Sequence, residues 1–212
     1  MGPIAELSCR CGQVAGRVAN ATPNTANRAV CYCDDCQAAL HHLGRTDLLN
    51  EYGGTDVVQV APASLTFHRG NEIIVGLRLT PKGLYRWHTS CCKTPVGNTF
   101  GPELPFVGIV AQAFDTGSTN ADRIFGAPLG AGRSKFAIGN PPEHMTKLTA
   151  RLVLHAARLV IGWKFGGGTW PHPFFDRETR APTHPIVTLT QDAREALRPL
   201  CGPTPSPSPP PP

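Results

Sequence analysis

The sequence predicts a mainly β domain followed by a C-terminal α-helical extension, and three observations support this. The 212 residues include 22 glycines and 22 prolines, which favour short strands and turns over long helices. Short runs of β-branched and aromatic residues recur between glycines and prolines up to about residue 115. Beyond that point, one long segment has the apolar spacing of a helix. We therefore predict a β domain over 1–115, a helical extension over 116–200 packed on it, and a disordered Pro/Ser tail over 201–212.

Several segments of the β domain have the composition of strands, bounded by turn residues. They are residues 13–18, 28–32, 57–60, 65–68, 73–79, 84–88 and 106–110. A short helix over 37–40, capped by Asp34 or Asp35, is predicted after the second of these strands.

The extension is dominated by a predicted helix over 143–163, which follows Asn140 as its cap and Pro141-Pro142. One face of this helix is apolar and is predicted to dock on the protein: Leu152, Ala156, Leu159, Val160 and Trp163. The other face is basic, and is either a solvated surface or a receiver of anionic groups: Lys147, Arg151, His155 and Arg158. Gly166-Gly167-Gly168 ends the helix, and the aromatic, proline-rich segment 170–185 is predicted to cross the domain surface. The aromatic residues of this region either belong to the core or line a pocket: Trp163, Trp170, Phe174 and Phe175. A last helix is predicted over 191–197.

Charge and hydropathy narrow the classes of function. The formal net charge is +5 and charged residues make up 17% of the chain, a balance compatible with an anionic small molecule that does not indicate nucleic acid. No apolar run approaches the roughly 20 residues of a membrane span, and the N-terminus has no signal-peptide pattern. We therefore expect a cytoplasmic protein with no membrane or nucleic-acid partner. The sequence does not indicate its oligomeric state.

Seven of the eight cysteines fall into three tight groups, a distribution unlike that of a disulfide-stapled secreted domain. They are Cys9 and Cys11, then Cys31, Cys33 and Cys36, then Cys91 and Cys92. Three thiols as close as the central triplet can hold a metal ion without help from distant residues. Zinc takes four ligands in structural sites and three plus an exchangeable one in catalytic sites. A redox-active thiol cluster is the other interpretation of the triplet.

The motifs around these cysteines resemble one known family. Cys9-Arg-Cys11-Gly-Gln-Val is followed by Cys31-Tyr-Cys33-Asp-Asp-Cys36-Gln, and later by Cys92-Lys-Thr-Pro. This order is similar to that of the glutathione-dependent formaldehyde-activating enzymes, a family that includes centromere protein V. The resemblance covers roughly residues 5–115 and implies a small zinc-binding, β-tent-like domain.

The resemblance also implies two zinc sites. A structural zinc would be held by Cys9, Cys11, Cys92 and the residue at position 89, which here is threonine. Thr89 is a poor zinc ligand, so Cys91 or His88 would have to replace it, or the site is degenerate. Neighbouring residues of a strand point to opposite faces, so Cys91 and Cys92 can share one ion only within a turn.

The second, labile zinc would lie on Cys31, Cys33 and Cys36, the predicted catalytic residues. Its fourth position is either open or closed by His41, His42 or a distant group, although helical geometry separates His41 from Cys36. Asp34 or Asp35 could shuttle a proton or serve only as a turn or cap residue. Tyr32 could orient a ligand or simply pack.

The function that the resemblance implies is a carbon–sulfur lyase. Such an enzyme acts on adducts of a small aldehyde and a thiol, as in S-hydroxymethylglutathione, with one or two Zn²⁺ ions as cofactor. The alternative is a zinc-stabilised binding module without catalysis. A thiol-redox protein is disfavoured, because no Cys-x-x-Cys lies in a thioredoxin-like βαβ pattern.

Overall fold

The computed structural model describes residues 2–115 and 120–203. Within these residues the protein is mainly β, as predicted, and its longest helix lies in the C-terminal part. None of the helices in these two stretches has the length and apolar character needed to cross a bilayer. From residue 204 onward, the predicted Pro/Ser tail lies outside the described residues.

Eleven strands form two sheets in the described part of the chain. In chain order they are β1 (Ile4–Ser8), β2 (Ala15–Ala19), β3 (Asn27–Cys31), β4 (Thr55–Val60), β5 (Leu65–Arg69), β6 (Ile74–Arg78), β7 (Tyr85–Thr89), β8 (Pro95–Thr99), β9 (Val107–Val110), β10 (Ala131–Gly132) and β11 (Ile186–Thr188). All seven strands predicted from composition are present, with shifted ends. The sequence analysis missed β1, β8, β10 and β11.

The smaller sheet is antiparallel, in the order β1-β2-β5. The larger sheet has the order β10-β3-β4-β9-β8-β7-β6-β11 and is antiparallel except at its two edges, where β10 and β11 pair in parallel. Both edge strands come from the predicted helical extension. The extension therefore covers the otherwise unpaired edges of the sheet, where exposed backbone groups would invite pairing with another chain.

Five α-helices accompany the sheets in the described residues: α1 (Asp34–Leu43), α2 (Ala121–Phe125), α3 (Glu143–Thr146), α4 (Ala150–Phe165) and α5 (Gln191–Ala196). The prediction of one helix over 143–163 starting from Asn140 is wrong. The chain is extended at Lys147, and Thr149 caps α4 by accepting a hydrogen bond from the Leu152 amide at 3.1 Å. The break has a tertiary cause, since the Lys147 carbonyl accepts a bond of 2.9 Å from Ala131 in β10.

The two faces of α4 partly follow the prediction. Leu152 and Leu159 are buried against the protein, as expected for the apolar face. The basic face is not simply solvated, because the His155 ring bonds the carbonyl of Ala26 at 3.0 Å and Arg158 donates to the carbonyl of Asn24 at 3.2 Å. These two side chains help to fix α4 to the loop that precedes β3.

The aromatic segment after α4 belongs to the core. Phe174 is fully buried and stacks on Trp87 of β7, with ring centroids 4.7 Å apart. Phe175 meets the same indole edge-on at 5.6 Å. Trp87 thus anchors the middle of β7 in the core. This packing fixes the position of its neighbour Arg86, which lines the cavity of the candidate site.

Candidate metal centres

The first and last cysteine groups come together as one four-thiol cluster, hereafter the quartet: Cys9, Cys11, Cys91 and Cys92. The four Sγ atoms lie within 4.8 Å of one another. Individual separations include 3.5 Å for Cys9 and Cys11, and 3.3 Å for Cys11 and Cys91. Zinc–sulfur bonds of about 2.3 Å in a tetrahedron place the sulfurs about 3.8 Å apart. The quartet therefore has the donor atoms and spacing of a closed, four-ligand metal site.

Two turns, far apart in the chain, build the quartet. Cys9 and Cys11 lie in the turn between β1 and β2, where Gly12 adopts a positive φ of 75° and Val14 N donates to Cys9 Sγ at 3.2 Å. Cys91 and Cys92 lie in the turn between β7 and β8, before the left-handed Lys93. This turn meets the condition set by the sequence, since neighbouring cysteines can share an ion only where the strand has ended.

Position 89 supports the quartet without joining it. The Thr89 hydroxyl lies 3.4 Å from Cys92 Sγ and accepts a bond of 3.2 Å from Thr94 N. The ligand set that the resemblance implied, with position 89 as a ligand, is therefore replaced by one containing Cys91. His88 joins neither cysteine cluster in the described residues. Burial raises the pKa of Cys92, but hydrogen bonds with Thr89 and Thr94 prevail and lower it to about 5, which favours the thiolate that a metal requires.

The central cysteines form a second cluster, hereafter the triplet: Cys31, Cys33 and Cys36. Cys31 ends β3, Cys33 is the N-cap of α1, and Cys36 lies in the first turn of that helix. Cys31 Sγ is 3.4 Å from Cys33 Sγ and 3.7 Å from Cys36 Sγ. These separations again fit the sulfur–sulfur distances of a tetrahedral thiolate site. One strand–helix junction thus supplies three ligands.

The cap of α1 differs from the prediction. Neither Asp34 nor Asp35 caps the helix; instead Cys33 Sγ accepts a bond of 3.3 Å from Cys36 N. Both carboxylates form ion pairs with arginines of the C-terminal segment. Arg194 lies 3.1 Å from Asp34 and 2.9 Å from Asp35, and Arg198 lies 3.0 Å from Asp34. These ion pairs fix the start of α1 and leave the two carboxylates poorly placed for the proton shuttling considered above.

Further contacts lock α1 in place. Gln37 is fully buried; its amide donates to the Tyr32 carbonyl at 2.8 Å, and its oxygen accepts a bond of 2.7 Å from Gly202 N. Tyr32 is also fully buried, with its hydroxyl 3.3 Å from the Asn50 amide nitrogen, so it packs rather than facing a ligand.

No fourth metal-binding side chain closes the triplet in the described residues. Neither His41 nor His42, nor any other His, Cys, Asp or Glu there, extends the group of ligand atoms lying within 4.8 Å of one another. A cation on the triplet would keep one coordination position for an external ligand, which is the arrangement of catalytic zinc sites.

The electrostatics of the triplet favour a thiolate at Cys36. Hydrogen bonds with Cys31 and Cys33 lower the pKa of Cys36 well below its usual value, and the nearby Arg86 guanidinium lowers it further. Arg86 Nη1 donates to Cys36 Sγ at 3.7 Å. For Cys31, a hydrogen bond with Cys33 lowers the pKa, but a hydrogen bond with Cys36 and burial prevail and raise it to about 12. Hydrogen bonds with Cys31 and Cys36, together with burial, raise the pKa of Cys33, and in both cases repulsion by the Cys36 thiolate adds to the rise. A divalent cation removes that repulsion.

A cavity of about 530 Å³ opens beside the triplet. Cys31 and Cys33 form part of its wall, with Arg86 of β7. Phe100 and Phe106 line it as well, and their rings meet edge-on at 5.4 Å. Two of the three cysteines of the triplet therefore border a space that can admit a small molecule.

Sequence reasoning missed the residues that complete this site. Arg86 gave no signal of its own, since it alternates with aromatic and polar residues in a strand whose burial depends on the whole sheet. Phe100 follows β8 and Phe106 precedes β9, at the two ends of a loop whose packing depends on distant contacts. Arg194 and Arg198 are basic residues at helical spacing, and nothing local connects them with α1, some 160 positions away.

Comparisons with known proteins give a family but no activity. No curated protein matches the chain. A crystal structure of a Rhodobacter sphaeroides protein resembles it with 16% sequence identity and a TM-score of 0.38, covering 60% of this chain and 99% of that one. The model of a family of unknown function, DUF6151, matches residues 1–154. The chain belongs to the family DUF6151.

Proposed function

We propose that this protein is a zinc-dependent enzyme of the carbon–sulfur lyase type, acting on adducts of a small aldehyde and a thiol such as glutathione. The observation that carries the proposal is the triplet: three thiols at metal-binding distances, no fourth ligand in the described residues, and an adjoining cavity. The resemblance of the cysteine motifs to the formaldehyde-activating enzymes supports the same chemistry. The triplet would hold a catalytic Zn²⁺ and the quartet a structural one.

The reaction is a reversible addition. The thiolate sulfur forms a bond with the carbonyl carbon, the π electron pair moves to the carbonyl oxygen, and that oxygen takes up a proton to give a hemithioacetal. Cleavage is the reverse, with loss of the C–S bond. A zinc ion supplies two things when bound: it lowers the pKa of a coordinated thiol and polarises a carbonyl.

The chain's own residues would organise this site. Arg86 is buried beside Cys36 and offsets the negative charge that three thiolates bring to one cation. Phe100 and Phe106 provide an apolar wall that limits water around the reacting carbonyl. The ion pairs of Asp34 and Asp35 with Arg194 would hold the start of α1, and with it Cys33 and Cys36, in position.

The setting we propose is the reducing cytoplasm, with small-molecule thiol and aldehyde substrates as partners. Its support is that the eight cysteines are free thiols, of which seven are gathered in two metal-type clusters.

The alternative is a zinc-stabilised binding module, and one observation favours it. Cys33 caps α1 and the C-terminal segment clasps the same helix end, so the triplet is also part of the fold. In that case a cation on the triplet would contribute folding energy and no turnover.

The experiment that separates these proposals compares wild type with Cys33→Ser. Serine is itself a good N-cap, so this change removes a metal ligand while keeping the cap of α1. We expect thiol-dependent formaldehyde consumption to fall by about 100-fold or more, as after loss of an essential catalytic element, with an unchanged circular dichroism spectrum. Cys201→Ser is the matched control, because Cys201 belongs to neither cluster.

Two results would count against the enzyme. One is zinc-loaded wild type that consumes no formaldehyde with glutathione, cysteine or another small thiol. The other is Cys33→Ser protein that unfolds, which would support the binding module.

A further inference from the structure

The cavity beside the triplet contains a buried guanidinium with unused hydrogen-bonding capacity. Arg86 is only 5% exposed. Its Nη1 atom reaches Cys36 Sγ, whereas its Nη2 atom has no hydrogen-bond partner among the described residues. A buried donor left unpaired costs about 1–3 kcal/mol, and more when charged, so such a group is an indicator of a missing ligand.

The charged side chains of the cavity that form no ion pair have the same sign as Arg86. Lys82 and Arg133 line it, and neither forms an ion pair within 2–115 and 120–203. The two carboxylates in the wall, Asp34 and Asp35, are already paired with arginines of the C-terminal segment. The cavity therefore presents unpaired positive charge to whatever enters it, which favours an anion.

The other part of the lining is apolar. These side chains are Ala29, Val57, Leu84, Phe100, Phe106 and Phe136. Phe100 is 61% exposed, so much of its ring is accessible to a ligand in the cavity. A ligand with only charged and polar groups would leave these apolar side chains exposed to water.

We infer that the cavity binds a thiol that carries one carboxylate near its sulfur and an apolar substituent. The inference rests on the proposed function and names the class of its thiol substrate. The sulfur of a fourth ligand would lie about 3.8 Å from Cys36 Sγ in a tetrahedral site. Arg86 Nη1 lies 3.7 Å from the same atom. The sulfur and Arg86 Nη1 both adjoin Cys36 Sγ and are therefore at most about 7.5 Å apart. The carboxylate that pairs with Arg86 thus lies within a few bonds of the sulfur, and the apolar substituent meets Phe100 and Phe106.

Binding to zinc-loaded protein without aldehyde tests the inference independently of turnover. The probes are 2-mercapto-3-phenylpropanoate, its carboxamide, which lacks the charge, and mercaptoacetate, which lacks the benzyl substituent. We expect calorimetry to give the acid at least a tenfold lower Kd than the amide, the scale of one charge-assisted hydrogen bond. Equal affinities in wild type would overturn the inference even if the protein proves to be a lyase, and a clear preference would stand even if it does not.

Variants test which residue binds the carboxylate of the ligand and which binds its apolar substituent. Arg86→Gln should abolish the preference for the acid, while Arg17→Gln, on the exposed face of β2, should preserve it. If Arg86→Gln loses zinc, Arg86→Lys retains the charge but not the paired N–H groups and should reduce the preference several-fold. A full preference in either Arg86 variant contradicts the assignment. Phe100→Ala should weaken acid and amide equally and leave mercaptoacetate unchanged; unchanged binding of all three would remove the apolar half of the proposal.

Discussion

The quartet and the triplet use the same thiol chemistry in two different structural settings. The quartet joins turns separated by about 80 residues, and its four sulfurs leave no position for an external ligand. The triplet spans six residues at one strand–helix junction and faces a cavity. A cation on the first would tie distant parts of the chain together. A cation on the second would be held locally and remain accessible, so one cluster is suited to stability and the other to chemistry.

The largest expected effect is the stability cost of breaking the quartet. Cys11→Ser should lower the free energy of unfolding by about 5 kcal/mol or more, because metal binding by a structural site is folding energy, of about 10–16 kcal/mol in zinc-finger peptides. Cys11 is exposed, so lost packing cannot account for such a change.

Denaturant unfolding of zinc-loaded proteins measures this effect, with Cys33→Ser as the matched variant. It should cost clearly less than Cys11→Ser, because serine keeps the helix cap and an ion held by neighbouring residues ties no distant parts of the chain together. Similar losses in the two variants would abolish the distinction between the clusters.

The second prediction concerns metal retention. Wild type should bind two zinc ions and Cys33→Ser one. A chelator should remove the ion of the triplet at least tenfold faster than that of the quartet, because an open coordination position gives the chelator a point of attack. Stopped-flow measurement with a zinc-sensitive dye should show two phases in wild type, of which only the slow one persists in Cys33→Ser. Release of both zinc ions of wild type in a single phase would be incompatible with this account.

Thr89→Val sharpens the description of the quartet. It removes the hydroxyl that contacts Cys92 and accepts from Thr94 N, at nearly constant volume and at a fully buried position. We expect a loss of about 1–2 kcal/mol in the free energy of unfolding, since a buried donor is left unpaired, with no change in zinc release from the triplet. Faster release from the triplet would show that the two clusters are coupled.

The smallest expected effect comes from removing an arginine that holds the start of α1 by ion pairs. Arg194→Ala removes two ion pairs from Asp34 and Asp35, and should weaken zinc binding at the triplet a few-fold, since it acts only through the position of the helix. Competition with a chelator of known affinity measures the change. Arg194→Lys should restore part of it, and Arg177→Ala, an exposed arginine elsewhere, should have no effect. Equal weakening by Arg177→Ala would indicate a general charge effect.

The sequence predicted the triplet well because its geometry is local. Three cysteines within six residues at the end of a strand are brought together by secondary structure alone. The seven strands recognised from composition and the docking of Leu152 and Leu159 were likewise readable, because hydrophobic patterning reports burial directly.

Features that depend on contacts between distant segments were not readable. The sequence left Cys91 and His88 open as substitutes for position 89, and the contact with the turn of Cys9 and Cys11 selects Cys91. The break between α3 and α4 arises from pairing with β10. The pairing of Arg194 with Asp34 joins positions 160 residues apart. In each case a tertiary contact, absent from any local pattern, decided the outcome.

The most direct test of the central claim is the coordination of a cation on the triplet. Protein with zinc in the quartet and Co²⁺ in the triplet has a visible spectrum that reports the number of thiolate ligands. The account predicts three thiolates at the start and a fourth upon titration with one equivalent of 2-mercapto-3-phenylpropanoate, seen as growth of the sulfur-to-cobalt charge-transfer band. A spectrum of four protein ligands that the thiol leaves unchanged, or a triplet that binds no cobalt under reducing conditions, would contradict it.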